Sequence, residues 1–320
     1  MNKKVFLITV MLLIVSCTAK TEIIDENKNT EWIQGNVENA DYYLLHFFNV
    51  HCTTCVEQSQ ELKEISEKIP NVQVIGVSVP EFEFQKKNVT IKEELGKNNI
   101  NYAVISDINH TIRIAYDQKR VPSFILLDKK GKVVENTNNL ANVKEQLSKI
   151  YSNKEFTLKP KRHIISEKTT PRLYGGYNYA TTYYGNIEKE QLETWQNYTL
   201  PDAIEDNKIY VQGEWFANQD RLNLISVHPG LMVVKFHGTK VDMLARSRKP
   251  QNVTVYIDNS PIPRQNAGKD IFYNENDESY FVANSTAAIH DIANYGEEEG
   301  RAIVLYPSAT RFNLFWIEFS

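Results

Sequence analysis

Two cysteines separated by two threonines, Cys52-Thr53-Thr54-Cys55, lie between an apolar run of strand length, Tyr42 to Phe48, and a segment in which Leu62, Ile65 and Ile69 recur at helical spacing before Pro70. A strand handed to a helix through a Cys-x-x-Cys constrains the fold more than any other feature of the chain. It predicts that the first thiol sits at a helix N-terminus, where unsatisfied backbone N–H groups and the macrodipole favour an anion. The pKa of such a thiol falls from about 8.5 toward neutrality, which makes a nucleophilic thiolate available. The second cysteine, one turn along, is placed to attack the mixed disulfide that follows. Cys52 is therefore the expected attacking residue and Cys55 the resolving one.

Half a zinc site is the rival reading of such a pair. A closed structural site needs four ligands. There is no second cysteine pair, and the seven histidines (46, 51, 110, 163, 228, 237 and 290) are scattered. The third cysteine, Cys17, ends a segment of another kind. Lys3 and Lys4 precede the apolar stretch Val5 to Val15, too short to cross a bilayer as a helix but suited to a signal peptide. Ile14-Val15-Ser16-Cys17 resembles a bacterial lipobox, in which the cysteine is lipidated. That leaves Cys52 and Cys55 as one pair closing a very short loop. Such a bridge adds little stability through chain entropy, so chemistry explains the pair better.

The rest of the chain reads as two parts. Residues 1–17 form the signal segment, and 18–32, polar and without periodicity, a flexible tether. Across 33–152, strand patterns at Tyr42–Phe48, Val72–Val79 and Tyr102–Ile105 alternate with helical ones, including Asn88–Lys97. Pro122–Leu127 and Lys132–Val134 read as a hairpin, and Leu140–Tyr151 as a closing helix. The order β-α-β-α-β-α-β-β-α predicts a mixed α/β sheet with helices on its faces. Residues 153–170 read as a linker. In 171–320 helical periodicity fades and short alternating stretches such as Val253–Asp258 predict an all-β sandwich.

The N-terminal part resembles the thioredoxin-like family, particularly TlpA- and DipZ-type membrane-associated disulfide oxidoreductases. The resemblance rests on Phe47-Phe48-Asn49-Val50-His51-Cys52-Thr53-Thr54-Cys55, on Val121-Pro122-Ser123 about 70 residues later, and on the stretch from Val77 to Phe84. It implies a thioredoxin-like fold and a cis proline at Pro122, with Val121 and Pro122 presenting backbone to the substrate chain. Two departures stand out: Phe48 and His51 occur where the family usually carries Trp, and His46 holds the position of a buried acid. His46 is a candidate for proton transfer. His51, if protonated, would stabilise the Cys52 thiolate, and otherwise reads as an exposed rim residue. Thr53-Thr54 matches neither the Gly-Pro of familiar reductants nor the Pro-His of oxidants.

Residues 171–320 resemble the C-terminal domain of DipZ-type proteins, a jelly roll like a carbohydrate-binding module. Thr170 to Tyr177, Gly213-Glu214-Trp215 and Val255 to Asp258 carry this resemblance. Tyr177, Tyr183, Tyr184, Trp195 and Trp215 are candidates either for stacking on a sugar or peptide or for core packing. The net charge of −4, with no basic stripe, gives no reason to expect nucleic acid as a partner.

Together these features predict a lipid-anchored, extracytoplasmic thiol–disulfide oxidoreductase that reduces or isomerises disulfides of exported proteins. It would need no cofactor, because the cysteine pair stores the electrons, but a separate membrane electron donor must recharge it. The alternative is a surface-anchored glycan- or protein-binding module that keeps the thioredoxin fold as a scaffold.

Overall fold

A computed structural model of the protein describes residues 31–151, 168–180, 184–225, 228–308 and 311–320. Cys17 with the signal segment, Tyr183 and most of the expected linker lie outside the described residues. The chain divides into two compact units, Met1–Arg162 and His163–Ser320.

The first unit is built on a six-stranded sheet of order β1-β4-β3-β2-β5-β6. Its strands are β1 (Glu31–Gln34), β2 (Tyr42–Phe48), β3 (Val72–Ser78), β4 (Ala103–Ser106), β5 (Ser123–Asp128) and β6 (Val133–Thr137). β2, β3 and β4 pair in parallel, while β1, β5 and β6 join antiparallel. The helices are α1 (Thr53–Lys68), α2 (Asn88–Lys97), α3 (Thr111–Ala115) and α4 (Leu140–Ile150). β2 is apolar on both sides because it is covered on both. Leu44 and Phe48 join a core layer with Leu62, Ile65, Leu95 and Val143 of the longer helices, whereas Leu45 and Phe47 join Ile112 and Tyr116 on the other face. Fully buried residues such as Leu62 and Ile65 each contribute about 2 kcal/mol of apolar transfer energy. The period-two alternation of β2 also puts His46 on the α1 side, the layer that holds both cysteines.

This is the thioredoxin-like α/β fold expected, with one correction. The tether does not reach residue 32: Glu31 and Trp32 already pair with Ser106 and Ile105 of β4. Too short for a periodic signal, β1 exists because an unpaired β4 edge and an apolar layer that accepts Trp32 await it.

The second unit is all β apart from short helical turns, among them α5 (Tyr177–Ala180). Its strands are β7 (Leu173–Tyr174), β8 (Trp195–Tyr198), β9 (Ile209–Ala217), β10 (Leu222–Leu224), β11 (Leu231–Ser247), β12 (Gln251–Ile257), β13 (Ser260–Pro261), β14 (Phe272–Tyr273), β15 (Ser279–Ala283), β16 (Ala288–Pro307) and β17 (Phe312–Phe319). They form one antiparallel network of order β14-β15-β12-β16-β11-β17-β10-β9-β8, with β7 and β13 attached at β17 and β12. β11 pairs with β9 through Leu231–Val234 and with β17 through Val241–Ser247, so β9, β10, β17 and β11 close a circuit. Bulges near Gly238–Asp242 allow a 17-residue strand to bend between the two pairings. The network wraps one core that includes Trp215, Met232, Phe236, Phe281 and Phe312. The unit begins before residue 171. Thr170 is buried, donates its N–H to the His237 carbonyl (2.9 Å) and accepts the His237 N–H on its hydroxyl (2.8 Å).

Of the aromatic candidates, Tyr184 and Trp215 are core residues and Tyr177 packs against them. Trp195 alone among the described ones stands clear, 67% exposed.

Candidate active site

β2 ends at Phe48, and Asn49-Val50-His51 turn the chain into α1. Cys52 is the N-cap: its backbone is extended (φ −110°, ψ 110°), and its carbonyl accepts the Val56 N–H (3.0 Å). Its sulfur accepts the Cys55 N–H at 3.2 Å, in the role a Ser or Asp oxygen takes at an ordinary N-cap. No acidic residue occupies the first turn to offset the positive end of the helix dipole. Cys52 and Cys55 are joined by a disulfide with Cα atoms 5.2 Å apart. Cys55 is completely buried and Cys52 is 2% exposed. The peptide between Val121 and Pro122 is cis. Val121 packs against the core layer that contains both cysteines, and half-buried Pro122 leads into β5.

His46 is fully buried between two rings, Phe48 (centroids 5.0 Å apart) and Phe124 (5.1 Å), both nearly parallel to it. Its Nδ1 lies 3.1 Å from the Tyr102 hydroxyl, which lies 3.0 Å from Ser59 Oγ, which in turn lies 2.8 Å from the Cys55 carbonyl. The carbonyl can only accept, so each proton along this relay is assigned. Ser59 donates to Cys55, Tyr102 donates to Ser59, and His46 donates from Nδ1–H to Tyr102. The neutral imidazole therefore carries its lone pair on Nε2, which is buried with no hydrogen-bond partner among the described residues. Burial pushes the His46 pKa down to about 3 and raises that of Tyr102. His46 thus stays neutral across the physiological range. Gly76 makes room for this stack: a Cβ there would come within 2.8 Å of Phe48 Cε1 and 3.1 Å of the Tyr102 ring.

His51 is not a rim residue. It is 1% exposed and lies edge-on to Phe84, at 5.5 Å between centroids. Gln85 Oε1 accepts the backbone N–H groups of Glu81 (2.8 Å) and Phe82 (2.9 Å), which fixes its amide orientation. Its NH2 group therefore faces Asn49 Oδ1 (3.0 Å) and His51 Nδ1 (3.2 Å). A donor aimed at Nδ1 requires a lone pair there, so this geometry suits the neutral ring and opposes the imidazolium. Asn49 completes the lock by donating to Gln85 Oε1 (2.8 Å) and accepting the His51 N–H (2.8 Å).

Sequence reasoning missed Asn49, Ser59, Gln85 and Tyr102. Asn49 adjoins the motif, and Ser59 lies one helical turn beyond Cys55, a positional signal that was available. Gln85 and Tyr102 lie 34 and 56 residues from the histidines they bind and carry no local signal.

A sheet with three parallel central strands, an N-capping cysteine in a Cys-x-x-Cys and a cis proline at the start of β5 together define the fold type. The N-terminal unit has a thioredoxin-like fold. Residues 21–152 match the Redoxin family, and residues 170–306 match the family described as thioredoxin like C-terminal domain. The thiol-disulfide oxidoreductase YkuV of Bacillus subtilis (strain 168) is 25% identical over 108 residues, covering 32% of this chain and 73% of that protein. The thioredoxin-like protein SkfH of the same strain is 28% identical over 110 residues, covering 34% of this chain and 77% of its own. Among solved structures, a thioredoxin-like protein in its oxidised form is 21% identical, with a TM-score of 0.35, and covers 39% of this chain and 90% of that one.

Proposed function

We propose that this protein exchanges disulfides with exported client proteins, acting as a reductant or isomerase, with Cys52 as nucleophile and Cys55 as resolving thiol. The observation that carries the reading is the Cys52 sulfur at the N-cap of α1, receiving the Cys55 N–H in a turn without acidic residues. In the reduced form the Cys52 thiolate attacks a client disulfide. A Cys52–client disulfide forms, and the client's second sulfur leaves as a thiolate that takes up a proton. Cys55, losing its proton, then attacks the Cys52 sulfur and expels the first client sulfur. Two electrons pass to the client and the Cys52–Cys55 bridge is formed. A separate membrane electron donor restores the dithiol.

Val121 and Pro122 are assigned to the backbone surface that receives the client, supported by the packing of Val121 on the cysteine layer. His46 and His51 are assigned positioning roles. Through Tyr102 and Ser59, His46 holds the Cys55 carbonyl, and through Gln85 and Asn49, His51 holds the entry to α1. The suppressed charge of His46 and the Gln85 amide that faces His51 Nδ1 argue against a charged histidine as the stabiliser of the thiolate, which leaves that task to the helix terminus. The protein is further proposed to be of the TlpA/DipZ type. In that reading it is anchored through lipidated Cys17 on the extracytoplasmic side of a bacterial membrane, and its β unit is a jelly-roll module.

The test is insulin reduction by the full chain together with the reduction potential of the Cys52/Cys55 couple. Turnover lost in Cys52→Ser and a potential near that of thioredoxin, about −270 mV, are expected. A potential near that of strong periplasmic oxidants, about −120 mV, would reverse the proposed direction of electron flow.

A further inference from the structure

Trp195 opens a row of residues that register places side by side. It lies opposite Phe216 of β9, Phe216 opposite Asn223 of β10, Asn223 opposite Asn313 of β17, and Asn313 opposite Arg246 of β11. Directly opposed residues point to the same face of a sheet, so these five form one line across five strands, about 19 Å along the sheet at roughly 4.8 Å per strand. The residues flanking them in sequence (Trp215, Leu222, Leu224, Leu314 and Ala245) are fully buried on the opposite face. The row therefore faces outward, and it lines an open cavity of about 560 Å³ together with Arg221, Arg248 and Arg311.

The chemistry of this groove is unlike that of the chain as a whole. The protein has a net charge of −4, yet four arginines line the groove. Asp220 pairs with Arg221 at 2.9 Å; Arg248 and Arg311, both exposed, make no ion pair among the described residues. Half-buried Arg246 lies over the Phe315 ring at 5.5 Å, and its pKa is lowered by burial and by the neighbouring Arg221 guanidinium, with Asp220 opposing. At the other end the Trp195 and Phe216 rings lie 5.4 Å apart and form an apolar platform. Between them, Asn223 and Asn313 hold fixed amide planes. Asn223 donates to the Phe216 carbonyl (3.1 Å) and accepts from Arg221 Nε (3.0 Å), and Asn313 donates to the Arg311 carbonyl (2.7 Å).

The backbone argues against a peptide as the ligand. The row crosses the face of paired strands, and only β8 is an edge, so the groove offers no main-chain ladder for strand addition. Recognition must come from side chains alone: an aromatic face, planar amides and guanidinium forks. These suit a ligand with an apolar C–H face, many hydroxyls and a carboxylate. We propose that this groove binds an acidic saccharide, its sugar rings lying on Trp195 and Phe216 and its uronate carboxylate taken by Arg246, Arg248 and Arg311. The site lies wholly within the β unit, so it stands or falls independently of the redox reading.

Isothermal titration of the full chain tests this with hexameric galacturonate, mannuronate and glucuronate, a neutral glucose hexamer, and poly-glutamate as probes. At least one uronate should bind, more weakly as salt is raised. Trp195→Ala, and separately the double variant Arg248→Ala/Arg311→Ala, should each weaken binding about tenfold or more. All three positions are exposed, and an unchanged thermal midpoint certifies each variant as folded. No binding of any uronate, equal affinity for the neutral hexamer, equal or tighter binding of poly-glutamate, or uronate binding indifferent to both variants would each overturn the proposal.

Discussion

Replacing His46 by asparagine removes the one titratable group sealed between Phe48 and Phe124 while leaving a polar partner for Tyr102. The folded pKa of His46 is about 3, against 6.5 for an exposed histidine. Between these values the unfolded chain binds a proton that the folded chain excludes. The stability that neutral His46 confers is thus full above pH 6.5 and is lost as pH falls toward 3. At pH 4.5 the unfolded state gains about two pKa units' worth of protonation, or about 2 to 3 kcal/mol, from this group alone. In His46→Asn that loss is absent. At pH 7.5 the variant should be less stable by about 1 to 3 kcal/mol, through lost ring packing and a small cavity. By pH 4.5 the gap should shrink by about 2 to 3 kcal/mol and come close to zero. Hydrogen exchange of the β2 and β3 amides against urea, at pH 7.5, 6 and 4.5, reads the local stability directly. A gap that stays constant with pH would refute the reasoning, because it would mean that His46 accepts a proton inside the fold. A gap that widens on acidification would refute the sign.

Other expectations follow from single sites. Cys55→Ser should accumulate a Cys52–client disulfide visible by mass spectrometry under non-reducing conditions, whereas Cys52→Ser should trap nothing. Gly76→Ala should cost about 1 to 3 kcal/mol in thermal unfolding, since its Cβ meets the Phe48 ring at 2.8 Å within the His46 stack. Gln85→Leu leaves the Glu81 and Phe82 N–H groups without their acceptor and should destabilise by about 2 to 4 kcal/mol. Asp242 of β11 has its pKa raised to about 6, mainly by burial, with Lys240 opposing and Asp291 and Glu318 reinforcing the shift. A raised carboxylate pKa makes its contribution full below about pH 4 and lost as pH rises through 6. Asp242→Asn should therefore gain on the wild type by about 2 to 3 kcal/mol between pH 4 and 7, measured by chemical denaturation.

Much of the N-terminal unit was legible in the sequence, because local patterns carried it. The apolar run of β2, the spacing of Leu62, Ile65 and Ile69, and Pro70 after them define strand, helix and helix end without reference to the rest of the chain. The Cys-x-x-Cys at that junction then places Cys52 at a helix N-terminus by local geometry alone. In the second unit, alternation likewise announced strands but not their partners. What only the tertiary structure decided is where distant residues meet. His51 reads as a rim residue until Gln85, 34 positions on, closes over it. His46 reads as a candidate for proton transfer until Phe48, Phe124 and Tyr102 surround it and suppress its charge. The line from Trp195 to Arg246 exists only because the strands assemble in the order β8-β9-β10-β17-β11. Strand pairing is non-local, and a shift of one residue would turn each side chain to the other face. Periodicity determines which residues are strand or helix; register and burial determine which of them share a site, and with what charge.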